Sequence, residues 1–364
     1  MKVVVGGGGV IGCSIAYHLR KAGADVVLLE RGEIGGEASG AAAGMLIAPI
    51  EDTGHKGFDA LRKASLAMYP EVLAEVQARS GVDVQYKVPG MIRTARTEAF
   101  ARELRAASRK RGFEWIEGAV LRELEPALGN GFIGAAYCAT DADLNPGALT
   151  NAFAGAAKKL GAAVRPRTML TGFVSDGQRV TGVRTSAGEV AADAVVLAAG
   201  PWTGSLGQRL RARVQTPPMR GQMIAYRSKA LRHAVWGEDG YLVPKPGGFI
   251  FAGATVEDVG FRKTTTARAI AGMRRMAAEL VPALRNATMA SAWAGLRPGS
   301  ADGLPVIGRV PGKENAYVAT GHFRNGILLA PVTGALVAEM VLTGRTDARL
   351  RAFGAERFGP VRAG

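Results

Sequence analysis

Cysteine is almost missing from this chain: Cys13 and Cys138 are the two among 364 residues. Two cysteines cannot build a disulfide framework, and their separation matches no metal-ligand spacing, so no metal is expected. Cys13 falls on a helix behind a glycine loop, where it reads as a small buried side chain. No apolar run in the sequence approaches the ~20 residues that span a bilayer, so no membrane segment is expected. The first apolar strand starts at the N-terminus and leaves no room for a signal peptide, so a reducing cytoplasm is the expected location. Acidic residues are the minority charge, 31 against 46 lysines and arginines, for a net charge of +15. Such an excess raises the prospect of a polyanion partner. The basic clusters, Arg109-Lys110-Arg111 and Arg209 to Arg213, are short and lack interleaved aromatics. A nucleic-acid module is therefore set aside, and the positive surface is expected to aid solubility and attract carboxylates.

Glycine, by contrast, is abundant, at 50 residues. The run Gly6-Gly7-Gly8-Gly9-Val10-Ile11-Gly12 follows the apolar strand Val3-Val4-Val5. A second apolar strand, Val26 to Leu29, closes on Glu30. This strand, turn, helix and strand order seats a dinucleotide. Gly7 permits the tight turn, Gly9 lets the backbone approach a pyrophosphate, and Gly12 lets the helix pack on the strand. The pyrophosphate would sit on the N-terminus of a helix from Val10 to Ala22, where free N–H groups and the helix dipole favour negative charge. Glu30, about 18 residues beyond Gly12, stands where a carboxylate accepts from a ribose hydroxyl and repels a 2′-phosphate. Gly6 occupies a place where a β-branched residue would strengthen the strand, and a slight loosening is expected there.

The small-residue stretch Gly35 to Leu46, with Ala38, Ser39, Ala43, Gly44 and Met45, implies close backbone approach to a flat ligand. Helical periodicity covers Phe58 to Arg79, and a polar helix covers Thr97 to Lys110. A short strand near Glu114 to Ile116 follows, and then a turn and helix start at Asp143 to Gly147 that lead into a helix up to Leu160. Further strands are expected at Val164-Arg165, Leu170 to Val174, Val180 to Thr185 and Ala194 to Ala198. The last is uniformly apolar, like a central parallel strand, and carries Gly200 at its tip. From Val214 to Arg297 the pattern becomes alternating strands: Met223 to Tyr226, Tyr241 to Val243, Phe249 to Ala254 and Met289 to Leu296, around a helix from Ala267 to Leu280. The chain returns through Tyr317 to Gly321 into a helix from Ile327 to Leu342. The expected fold is α/β: a discontinuous Rossmann-type nucleotide domain (1–82, 141–215 and 297–364) with an inserted α+β domain built on an antiparallel sheet (83–140 and 216–296).

Chemistry concentrates near the C-terminus. Trp293 to Gly299 ends a strand on Arg297. Thr320 to Pro331 leads from strand to helix through His322, Phe323, Arg324, Asn325, Gly326, Ile327 and Leu328. A helix start there stabilises negative charge, which in a reduced flavin develops at N1 and O2. Arg297 and Arg324, set in apolar and glycine-rich strings, suit a substrate carboxylate, because the guanidinium fork matches two oxygens. His322 is read as a backbone contributor to this loop rather than as a catalytic base. His18, His55 and His233 read as ordinary surface or helix residues.

These strings make the chain resemble the D-amino acid oxidase family of flavoproteins, and within it the glycine oxidases of thiamine biosynthesis. The matching segments are Gly7 to Gly12, Ser39 to Leu46, Trp293 to Gly299 and Gly321 to Pro331, with the intervening elements in order over nearly the whole length. The resemblance implies a second domain of the D-amino acid oxidase type and non-covalent FAD. The adenosine would lie near Val10, Ile11, Glu30, Arg31 and Leu170. The ring would lie between Ala43-Gly44-Met45 and the turn from His322 to Leu328. It also implies that Arg297 clamps the substrate carboxylate, with Arg324 close by and Tyr241 donating a hydroxyl. Val256 and Asp239-Gly240 depart from some relatives, which carry a methionine, and a histidine and cysteine, at those places. Neither cysteine stands where related sarcosine oxidases attach flavin. The expected activity is oxidation of glycine and small amines or D-amino acids by oxygen, to the 2-oxo acid, ammonia and peroxide. Left open are a D-amino acid dehydrogenase feeding a quinone, a sarcosine-type oxidase, a nicotinamide-dependent dehydrogenase on the same N-terminal motif, and assembly into a homo-oligomer.

Overall fold

The structure, a computed structural model, describes residues 1–47 and 53–359, with the side chains of Lys110 and Arg111 outside that description. A six-stranded sheet runs in the order Val306–Arg309, Ala316–Thr320, Ala194–Leu197, Lys2–Gly6, Asp25–Leu29 and Ala163–Arg165. All neighbours are parallel except the first pair. Both faces are covered, which is why its strands read as unbroken apolar runs. Val3, Val5, Val26 and Leu28 pack against helices Val10–Lys21, Lys56–Ser80, Pro146–Lys159 and Gly326–Thr343. Val4, Val27 and Leu29 face Phe173, Val180 and Val183 of a three-stranded antiparallel sheet, Leu170–Asp176, Arg179–Thr185 and Gly188–Ala191. Each fully buried valine or leucine contributes about 1.5–3 kcal/mol.

Gly6 does not loosen its strand as expected. It pairs with both Leu29 and Leu197, and a Cβ there would stand 2.9 Å from the Leu170 side chain. Leu170 takes the space that a branched residue would have filled.

A second correction concerns the C-terminal helix. The segment Phe323–Thr343, of 21 residues with an 18-residue stretch of mean hydropathy 1.8, is long and apolar enough to cross a membrane, contrary to the expectation that no run came near that length. Most of it is buried inside the protein. It is largely apolar because most of it is enclosed, wedged between helices Val10–Lys21 and Lys56–Ser80, with Arg324 and Glu339 left exposed.

The other large sheet has nine strands. Pro218–Arg227 is its hub, flanked by Met289–Pro298 on one side and Phe249–Gly253 on the other. The sheet continues through Gly240–Lys245, Ala234–Gly237, Met91–Ala95, Gly134–Cys138 and Glu114–Ile116. It is mixed rather than purely antiparallel, since Ala234–Gly237 and Met91–Ala95 run parallel. Helix Ala267–Leu280 buries Met273, Met276, Ala277 and Leu280 against it. A two-stranded ribbon joins Met45–Leu46 to Ala142–Asp143 and ties the small-residue loop in place.

Candidate active site: a cleft between two loop systems

A single cleft of about 960 Å³ runs from the N-terminal glycine loop to the end of strand Met289–Pro298. One end is made of backbone. Gly7 has φ +120°, and a Cβ there would stand 2.3 Å from the Ala198 carbonyl oxygen. At Gly12 a Cβ would stand 1.8 Å from the Gly7 carbonyl oxygen, so helix and loop touch with nothing between them. Helix Val10–Lys21 has no acidic residue in its first turn and three basic ones in its last, leaving the dipole's positive end open to an anion. The Val10 N–H donates to Ser39 Oγ at 2.9 Å. Glu30 accepts from the Gly8 and Gly32 N–H groups at 2.7 and 2.8 Å, bracing the loop it was expected to complement. Arg31 stacks on Trp202, 3.5 Å from the ring centroid, at the mouth.

The middle is bounded by the small-residue loop. Its glycines answer to the chain itself as much as to a ligand. Gly44, at φ +89°, has the Leu144 carbonyl 2.0 Å from its Cβ direction. Trp293 Nε1 donates to the Ala41 carbonyl at 3.1 Å. Opposite stands the turn Phe323–Asn325 and the start of helix Gly326–Thr343, which has no side-chain cap and no acidic residue in its first turn. His322 is buried, shares a hydrogen bond of 3.2 Å with Thr333, and has no partner at Nδ1. Burial pushes its pKa down to about 3, so it stays neutral.

The far end is made of side chains. Arg297 lies across Gly221, where a Cβ would come 2.2 Å from the guanidinium, and donates to the Thr255 carbonyl at 2.9 Å. Among the described residues no carboxylate comes within ion-pair distance of Arg297 or Arg324. Burial lowers the Arg297 pKa, the nearby Tyr241 raises it, and Arg324 lowers it further. The Tyr241 hydroxyl is raised above its ordinary value by burial, against the pull of Arg297 and Arg324. Its nearest partner is Met223 Sδ at 3.8 Å. Phe323, in the left-handed region at φ +47°, sets its ring 6.0 Å from one guanidinium and 5.6 Å from the other. Arg324 is exposed and Arg297 half-buried.

The chain matches the DAO family of FAD-dependent oxidoreductases over residues 2–340. It is 34% identical to a glycine oxidase of Bacillus licheniformis, covering 97% of this chain and 96% of that one. The crystal structure of the Geobacillus kaustophilus glycine oxidase superposes with a TM-score of 0.93 at 34% identity, covering 98% of both chains. A bifunctional ThiO/ThiG protein of Trichormus variabilis is 32% identical over 98% of this chain and 55% of its own length.

The chain belongs to this family.

It is an FAD-dependent amino acid oxidase, and the cleft fits that cofactor. The N-terminus of helix Val10–Lys21 meets one end of the cleft and that of helix Gly326–Thr343 its middle, neither with a side-chain bond from its own N-cap residue, and the open side of Gly200, at φ +54°, has no atom within 4 Å of a Cβ. Of the residues expected at the cofactor, Gly7, Gly9, Val10, Ile11, Glu30, Arg31, Ala38, Ser39, Ala43, Gly44, Met45, Leu170, Gly200 and the whole run His322 to Leu328 line this one DAO-family cleft. Gly12 does not; it works from behind, as the contact that lets the helix approach. Tyr241, Arg297, Val256 and Asp239 line the end of the cleft that is walled by side chains. Neither cysteine reaches the cleft: Cys13 is buried with Sγ 3.4 Å from the Gly8 carbonyl, and burial pushes its thiol up.

Sequence reasoning missed Arg93, Met223, Trp202 and Trp236, which also line the oxidase's cleft. Arg93 carried a readable signal, a cation inside the buried strand Met91–Ala95. The histidines other than His322 lie outside the cleft. His18 is half-buried on the first helix with its pKa lowered to about 4, mainly by burial. His55 caps helix Lys56–Ser80 by accepting from the Phe58 N–H, and His233 pairs with the buried Glu125.

Proposed function

We propose that this oxidase acts on glycine and other small amines or D-amino acids. It would convert them to the imino acid, which water hydrolyses to the 2-oxo acid and ammonia. The carrying observation is Arg297: a half-buried guanidinium with no acidic partner among the described residues, facing the cleft beside a tyrosine hydroxyl. A buried cation without a counter-ion is costly unless a ligand supplies the charge. A substrate carboxylate, held by a planar fork, would do so and fix the α-carbon in one orientation. Tyr241 offers the same carboxylate a hydroxyl. Exposed Arg324 adds positive potential at the entrance, which steers an anionic substrate inward. Bound FAD supplies the two-electron acceptor for the α-hydride and hands the electrons to oxygen, giving hydrogen peroxide. No base is required of the protein, and His322, its pKa lowered to about 3 by burial, is too weak a base to serve as one. Similarity to glycine oxidases and to a ThiO/ThiG protein supports a role in thiamine biosynthesis as part of the same reading.

Anaerobic mixing tests it. Glycine, sarcosine and a series of D-amino acids are added separately to the yellow protein, and loss of absorbance near ~450 nm is followed. Bleaching by glycine or a small D-amino acid, followed by rapid return of colour on admitting oxygen, is the expected result. Failure of every member to bleach the flavin overturns the substrate assignment. Bleaching with colour returning only through an added quinone overturns the assignment of oxygen as acceptor.

A further inference from the structure

Helix Gly326–Thr343 contains a proline four residues beyond Ile327. A helix satisfies each carbonyl with the N–H four residues on. Pro331 has no N–H, and its ring presses on the carbonyl of residue i−4. The buried Ile327 carbonyl therefore has no donor within its own helix. One comes from outside: the Tyr69 hydroxyl, on helix Lys56–Ser80, donates to it. Four residues earlier on the same helix, Ser65 Oγ donates to the Leu328 carbonyl at 2.6 Å and lies 3.3 Å from the Val332 N–H. Ser14, on the dinucleotide helix, donates to the Ala330 carbonyl at 2.7 Å. Tyr69, Ser65 and Ser14 are fully buried. Ile327 and Leu328 line the cleft, and the helix start they belong to has no cap of its own.

We propose that Tyr69, supported by Ser65, is a positioning residue for the flavin. By taking the carbonyl that Pro331 leaves unserved, it fixes the direction in which the first turn of helix Gly326–Thr343 presents its N–H groups to the ring. The inference rests on the family's FAD and not on the identity of the amine. An ordinary helical hydrogen bond would hold this turn to its own helix. The tyrosine ties it instead to a neighbouring helix, so its aim is set by packing between elements. Burial pushes the Tyr69 hydroxyl well above its ordinary range, which keeps it a donor at any working pH.

The test uses sulfite, which adds to flavin N5 more tightly where negative charge at N1 and O2 is better stabilised. Tyr69→Phe in the FAD-loaded protein keeps the ring and deletes the donor. Its sulfite Kd is expected to rise about tenfold, the scale of a helix-terminus charge effect. Adding Pro331→Ala restores an N–H at the position that serves Ile327. Tyr69→Phe/Pro331→Ala is expected to return the Kd to within about twofold of the parent. If Tyr69→Phe lowers Tm and leaves sulfite affinity unchanged, the residue is packing alone and the proposal falls. If Tyr69→Phe cannot retain FAD, the double variant decides: failure to recover retention overturns the proposal. Sulfite needs no substrate, so an enzyme inert toward glycine leaves this result intact. A parent protein that binds no flavin would instead count against the cofactor reading.

Discussion

The two ends of the cleft are built from different materials. At the dinucleotide end the walls are backbone: a Cβ at Gly12 would meet the Gly7 carbonyl, and one at Gly7 would meet the Ala198 carbonyl. At the proposed substrate end the walls are side chains: Arg297, Tyr241, Met223, Trp236 and Val256. Backbone contacts have no rotamers with which to yield, whereas side chains can be exchanged one at a time. The backbone end is thus fixed by geometry, and the side-chain end, where the proposed substrate would bind, is where an oxidase of this fold could change its preference. The departures at Val256 and Asp239 both fall on the changeable end.

The sharpest way to break this contrast is Gly12→Val. Three heavy atoms would be forced against a carbonyl that a Cβ alone already approaches to 1.8 Å. The expected outcome is protein that elutes colourless from gel filtration, with no FAD retained. A yellow, folded Gly12→Val protein would show that the loop can open and that the backbone end is not rigid. Next in size is Arg297→Ala. Removing the guanidinium would leave a substrate carboxylate unpaired, at a cost of about 3–5 kcal/mol in substrate binding. FAD retention and the flavin spectrum should be unchanged. Near-normal KM would refute the carboxylate assignment, and loss of flavin would show that the two ends are not separable.

The same contrast explains what could be read from the sequence. Val3 to Val5, the glycine run and Val26 to Leu29 were legible because steric rules leave few residues able to do their task. Arg297 and the turn from His322 to Leu328 stood out because charged and glycine residues interrupt apolar strings. Strands Met91–Ala95 and Gly134–Cys138 went unread. The first is buried along its whole length and shows no alternation, and the second is built largely of small residues with weak strand preference. The mixed sheet they complete carries Arg93 to the cleft, so that residue was lost with its strand. The burial of the Phe323–Thr343 helix was hidden for another reason: an all-apolar helix looks alike to a bilayer and to a protein core.

Two histidines, half-buried His18 outside the cleft and buried His322 on its lining, give an intermediate effect. His18 stands on the dinucleotide helix with its pKa lowered to about 4, and His322 on the flavin turn with its pKa lowered to about 3. Both are neutral when folded, while an unfolded chain protonates them below pH 6.5. The unfolded state binds more protons, so stability is complete above pH 6.5 and declines as pH falls toward the folded values. Between pH 6.5 and 5.0, before most carboxylates titrate, each should cost about 2 kcal/mol. Urea unfolding at those two pH values measures the sum. His322→Gln should halve the decline. An unchanged decline in that variant would mean that His322 is protonated without penalty, and that the turn is wetter than its burial indicates.

The smallest expected effect is at Tyr241. Its hydroxyl touches nothing stronger than the Met223 sulfur, so Tyr241→Phe leaves no polar group of the protein stranded. What is lost is one charge-assisted hydrogen bond to a carboxylate that Arg297 still holds, about 1.5 kcal/mol, or roughly tenfold in KM. The flavin reduction rate at saturating substrate should be close to that of the parent. A loss approaching that of Arg297→Ala would place the hydroxyl in the transition state rather than in substrate capture. The side-chain end would then be as unforgiving as the backbone end, and preference could not drift there by single exchanges.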